Sequence, residues 1–139
     1  MFRGLATVTI TAADVAAASA WYAGVFGTEP YFSRPGPDQR LAYVEFRVGD
    51  DEDEFGIMDR RFLPSGHGAA DGGAFVYWHV DDLDAALAGL IERGAVQHQP
   101  VTSRGQGFAT AAVRDPFGNV LAVMSNPHWL ARHPSPAPA

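Results

Sequence analysis

The chain has 139 residues, enough for one domain that buries a core without disulfides. Apolar residues make up 47% and charged residues 19%, the profile of a folded globular protein. Ten Lys and Arg against sixteen Asp and Glu give a net charge of −6, which argues against a nucleic-acid backbone as partner. Cysteine is absent, so disulfide scaffolds, Cys-based zinc sites and thiol nucleophiles are excluded. No apolar run approaches the roughly 20 residues that span a bilayer, and the first residues lack a signal-peptide pattern. The expectation is a cytoplasmic protein with no membrane partner.

Alternation of Thr7, Thr9 and Thr11 with Val8 and Ile10 predicts a half-buried first strand. Asp14 is placed to cap a helix with Val15, Ala18, Ser19, Tyr22 and Phe26 on its inner face, ended by Gly27. Strands follow at 29–33, 41–48 and 54–59, with turns at 35–38 and 49–51. The same order then begins again with a strand over 74–80 and a helix capped by Asp82. That helix shows Leu83, Ala86, Leu87, Leu90 and Ile91 inward and closes at Gly94. Strands are expected at 96–100, 107–114 and 119–125. Asp14, Val15, Ala18, Ser19 and Tyr22 match Asp82, Leu83, Ala86, Leu87 and Leu90 at one constant offset. The sequence therefore reads as two βαβββ modules, an internal repeat in an α+β fold. Module 1 covers 5–59, a connector 60–72 and module 2 73–127, forming one domain over 5–127. Phe62 and Leu63 are expected to anchor the connector, and 133–139 is expected to be a disordered tail.

Strand parity separates two faces. Val8, Ile10, Val44, Phe46, Val48, Val76, Trp78, Val80, Leu121 and Val123 face the helices. The opposite face carries Thr7, Thr9, Tyr43, Glu45, Arg47, Gly56, Met58, Phe75, Tyr77, His79, Phe108, Thr110, Ala122 and Met124. Aromatic rings mixed with a few polar groups suit the lining of a ligand cavity. Thr7, Thr9, Tyr43, Glu45, Arg47, Met58, Phe75, Tyr77, His79, Phe108 and Thr110 are therefore the candidate ligand-binding residues. Packing against a second module or subunit is the competing reading. Glu45 and Arg47 share a face and could pair, either to anchor a charged ligand or as a solvated pair. His79 could act as a general base or polar anchor; bonding to the adjacent helix start at Asp81 or Asp82 is the plainer role. Tyr43, Phe75, Tyr77 and Phe108 could stack on a planar ligand or simply fill the sheet. The 128–130 segment is expected to tuck against the body.

Three segments carry a family resemblance: Trp21-Tyr22-Ala23-Gly24-Val25-Phe26-Gly27, Val80-Asp81-Asp82-Leu83-Asp84-Ala85-Ala86, and Asp115-Pro116-Phe117-Gly118-Asn119. In this order they resemble the vicinal oxygen chelate superfamily, which includes glyoxalase I, extradiol dioxygenases, fosfomycin-resistance enzymes and bleomycin-resistance proteins. The resemblance implies two modules curling into an incomplete barrel around one pocket, and a homodimer. It also implies metal ligands at Thr7, Gly56, Phe75 and Ala122. None of these is an imidazole or a carboxylate, so no metal and no other cofactor are expected. The function expected is a metal-free small-molecule-binding protein, with sequestration of a drug or metabolite as one form. The alternative is a glyoxalase-like lyase, isomerase or dioxygenase using a relocated metal or a His79/Glu45 acid–base pair.

Overall fold

The computed structural model describes residues 1–63 and 76–134. The chain divides into two compact units, 1–71 and 72–139. Phe75, one of the residues assigned to the binding face, lies outside the described residues, as do most of the connector and 135–139.

In the first unit β1 (Thr7–Ala12) leads into α1 (Val15–Phe26), followed by β2 (Phe32–Pro35), β3 (Leu41–Val48) and β4 (Asp53–Asp59). The sheet order is β1-β4-β3-β2, with β1 parallel to β4 and the other pairs antiparallel. Asp14 caps α1 by accepting from the Ala17 N–H at 3.0 Å, and Gly27 ends it in the left-handed region at φ 69°. That conformation costs glycine little and other residues more. The inner face of α1 buries Val15, Ala18 and Tyr22. The Tyr22 ring lies 5.2 Å from Phe55, and Phe26 lies 5.5 Å from Phe46. Val44 and Ile57 complete this core. Burying such side chains contributes about 1.5–3 kcal/mol each.

The second unit repeats the plan with β5 (Tyr77–His79), α2 (Leu83–Glu92), β6 (Val96–Gly105), β7 (Phe108–Arg114) and β8 (Val120–Ser125). Its order is β5-β8-β7-β6, again with one parallel pair, β5 with β8. Asp82 caps α2 through the Ala85 N–H at 2.9 Å. Leu83, Leu87 and Leu90 bury against a sheet face that holds Ala111, Val113, Leu121 and Val123. Ile91, expected inward, is 42% exposed, because it falls at the margin of the helix stripe. Asp115 organises the turn before β8. Its carboxylate accepts from the Phe117 and Asn119 N–H groups at 2.9 and 2.8 Å, while Gly118 takes φ +92°.

Several boundaries differ from the sequence reading. β2 starts at Phe32 rather than 29, since Pro30 has no N–H to offer the ladder. β6 runs on past Pro100 to Gly105; it is an edge strand, and register shifts near the proline accommodate it. The described start of the connector, 60–63, is held by Arg61; of the expected anchors Phe62 is 45% exposed and Leu63 half-buried. Arg61 pairs with the buried Asp59 at 2.8 Å and with Asp38 at 3.0 Å, after a 3-10 turn at Arg60–Phe62. A third helix, α3 (Pro127–Arg132), follows β8 and was not foreseen. Its signals were present: Asn126 at the N-cap position and Pro127 at the first turn.

Candidate functional site

In each unit the sheet face turned away from its helix carries the expected mixture. In the first unit, Thr9 sits opposite Gly56 across the β1–β4 pair, and Glu45 opposite Gly56 across the β3–β4 pair. Gly56 is what allows the next contact. A Cβ at this position would lie 2.3 Å from the Tyr43 hydroxyl and 2.8 Å from its ring carbon Cζ. The phenol therefore lies over the space that any other residue's side chain would fill.

From there a polar network runs across the sheet. The Thr9 hydroxyl donates to the Tyr43 oxygen. Tyr43 donates to Glu45 Oε1 at 2.5 Å, and Tyr31 donates to Glu45 Oε2. These hydrogen bonds, that from Tyr31 foremost, hold the Glu45 carboxyl below its ordinary value, so it is anionic at neutral pH. Tyr43 is pushed up, first by burial and then by its bond to Glu45. Tyr31 is pushed up to about 12 by the same carboxylate.

Glu45 and Arg47 do not form the ion pair that their spacing allowed. Arg47 instead reaches Glu54 at 3.8 Å and lies with its guanidinium 4.1 Å above the Tyr31 ring. The two tyrosine hydroxyls bond Glu45, and the Tyr31 ring and Glu54 take Arg47. Thr7 donates to Glu54 at 3.1 Å. Met58 is half-buried and pairs with Tyr43 in the ladder. Tyr31 and Phe32, 45% and 41% exposed, extend this aromatic surface and were missed. They lie at the start of an edge strand whose beginning was placed three residues too early.

The second unit uses its open face differently. Tyr77 is exposed, Phe108 half-buried and Thr110 buried, with Arg104 Nε donating to the Thr110 hydroxyl at 3.1 Å. His79 has both ring nitrogens occupied. Its Nδ1 accepts from the Asn126 N–H at 3.1 Å, which places the proton on Nε2, facing the Asp81 carboxylate at 3.3 Å. The Trp129 ring stacks on the imidazole at 4.5 Å, and His133 stacks on Trp129 at 4.0 Å. His128 meets the Phe108 ring edge-on at 5.1 Å. Helix α3 thus lies on His79 and Phe108. His133, assigned to the disordered tail, belongs to this stack. Trp129 tucks in as expected, while Leu130 is 38% exposed.

Of the four positions at which the family resemblance puts metal donors, three are described. Thr7 is committed to Glu54, Gly56 has no side chain and Ala122 offers only a buried methyl group. Zinc, iron and manganese select imidazole and carboxylate ligands, so this donor set does not fit such an ion. Among the described residues, no three His, Asp or Glu side chains converge in a metal-binding group.

Paired βαβββ units, matched aspartate caps and a parallel first–last strand pair in each unit define the class of fold. The chain belongs to the Glyoxalase/Bleomycin resistance protein/Dioxygenase superfamily, whose model matches residues 4–123. Among curated proteins no sequence matches it. Solved structures share the fold. A superfamily member from Sphaerobacter thermophilus superposes with a TM-score of 0.71 at 21% identity, covering 90% of this chain and 98% of that one. A glyoxalase/bleomycin resistance protein from Catenulispora acidiphila is 26% identical with a TM-score of 0.60, covering 89% and 100%. A lactoylglutathione lyase from Agrobacterium tumefaciens is 21% identical with a TM-score of 0.65, covering 91% and 96%. Among the described residues, no helix is long and apolar enough to cross a membrane.

Proposed function

We propose that this chain binds a small organic molecule on its open sheet faces and does so without the divalent metal its superfamily commonly uses. Sequestration of a drug or metabolite is the form this binding takes. One observation carries the reading: at Gly56, where the family resemblance puts a metal donor, the Tyr43 phenol lies across the position and is tied to Glu45. The surface left there is aromatic with a few fixed polar groups, the composition of a small-molecule site. Thr7, Thr9, Tyr43, Glu45, Arg47 and Met58 are the candidate contacts on the face of the first unit, and Tyr77, Phe108 and Thr110, with Phe75, those of the second. His79 serves as a support for α3 in this reading. A general-base role would require its Nδ1 lone pair, which the Asn126 N–H already occupies, and its Nε2–H faces Asp81. The reading includes a homodimer, which light scattering would test.

The deciding experiment has two arms. Metal analysis of the purified protein should find substoichiometric zinc, iron and manganese, while a library of small aromatic compounds should contain members that raise the melting temperature. A stoichiometric metal that is lost in His79→Ala or Glu45→Gln would establish a relocated metal enzyme instead. A flat melting response to every compound would refute the binding reading.

A further inference from the structure

The exposed polar face of the first unit is specific enough to name a ligand class, given the small-molecule reading on which this inference rests. We propose that Glu45, walled by the rings of Tyr31, Phe32 and Tyr43, is a receptor for an organic cation, an ammonium or amidinium group carried on a small molecule.

Three observations support this. The first is the company Glu45 keeps. Both of its hydrogen-bonding partners are neutral phenols, Tyr31 and Tyr43. The nearest basic residue along the strand, Arg47, directs its guanidinium to Glu54 and to the Tyr31 ring. The negative charge is therefore oriented and hydrogen-bonded, and among the described residues no ion pair reaches it, Arg47 acting on it only through space. A carboxylate has about four acceptor positions, and the two phenols fill two of them.

The second is the wall. Tyr31 and Phe32 are about half exposed, and Phe32 and Tyr43 meet edge-to-face at 6.3 Å. Aromatic faces attract cations through their quadrupole, and a half-buried carboxylate beside them adds a charge-assisted hydrogen bond. A planar anion meets the opposite: its charge would approach Glu45 and the negative ring faces.

The third is that the wall already holds cations from the chain itself. The Arg47 guanidinium sits 4.1 Å above Tyr31, and that of Arg34 5.8 Å from Phe32. Arg47 is about half exposed, and its contact with Glu54 spans 3.8 Å, the long end for an ion pair. A surface contact of this kind is weak enough for a ligand to displace.

Benzamidine, benzamide and benzoate present one ring with a cationic, a neutral and an anionic head. Titration calorimetry on the full chain should find benzamidine bound about tenfold or more tighter than benzamide, the size of one charge-assisted contact, with benzoate weaker still. Glu45→Gln should erase the preference for the cation. Arg47→Gln should strengthen benzamidine binding by freeing the Tyr31 face, and it keeps the test informative if Glu45→Gln misfolds. Equal affinity for benzamidine and benzamide, or a cation preference that survives Glu45→Gln, would overturn this inference while leaving small-molecule binding intact. Absence of binding by all three, together with a flat library response, would overturn both.

Discussion

Substituting Gly56→Ala tests the link between the missing side chain and the tyrosine above it. Gly56 lies within an ordinary strand, so alanine there brings no backbone strain; on conformational entropy alone it should stabilise by about 0.5–1 kcal/mol. The new methyl group would meet Tyr43 Oη at 2.3 Å and two ring carbons at 2.8 and 2.9 Å, so the ring must swing away. Doing so breaks the bond to Glu45, a hydrogen bond to a charged group worth about 1.5–3 kcal/mol. The net expectation is a loss of about 1–2 kcal/mol, or roughly 3–5 °C of melting temperature for each kcal/mol in a domain of this size. A double-mutant cycle in urea isolates the cause. In a Tyr43→Ala background, Gly56→Ala should be neutral or slightly stabilising, giving a coupling energy of about 1–3 kcal/mol. Equal cost in both backgrounds would refute the reasoning, because Gly56 would then matter for something other than the phenol.

Asn126→Ala removes the side chain that caps α3 through the His128 and Trp129 N–H groups and should cost about 1 kcal/mol in equilibrium unfolding. His79→Phe keeps a ring under Trp129 but leaves the Asn126 N–H without its acceptor; a loss of about 1–3 kcal/mol is expected, with a shift in tryptophan emission. Glu45, Asp38 and Asp59 all have carboxyl values lowered by their partners, so each contributes stability that is present above the ordinary carboxylate range and lost as pH falls through the lowered value. Urea midpoints measured downward from neutral pH should decline in acid, and less steeply in Glu45→Gln. Tyr31 behaves in reverse: its raised value means that its contribution holds below 10.0 and fades as pH climbs towards about 12, readable as delayed phenolate absorbance that returns to the ordinary range in Glu45→Gln.

The repeat was legible because it is written in residues whose chemistry is local. An aspartate two or three residues after a strand, an apolar stripe and a closing glycine fix each helix, whatever the sheet around it does. The open faces were legible by parity alone, which placed Tyr43, Glu45 and Arg47 together. Their partners were not: the choice of Arg47 between Glu45 and Glu54 depends on a cross-strand register, Arg47 opposite Glu54, that no local pattern specifies. Tyr31 was invisible for a related reason, since Pro30 shifted the start of pairing. Helix α3 was overlooked because six residues show less than two turns of periodicity, although its cap and proline were in view.

The two helix caps adopt nearly the same backbone, φ −123° and ψ 95° at Asp14 against φ −125° and ψ 101° at Asp82. The chemistry beyond them has parted company: one duplicate leaves a carboxylate among aromatic rings open to solvent, while the other lays its own terminal turn across its histidine. A scaffold doubled in this way can keep its helix starts alike while the exposed surfaces of its two copies diverge.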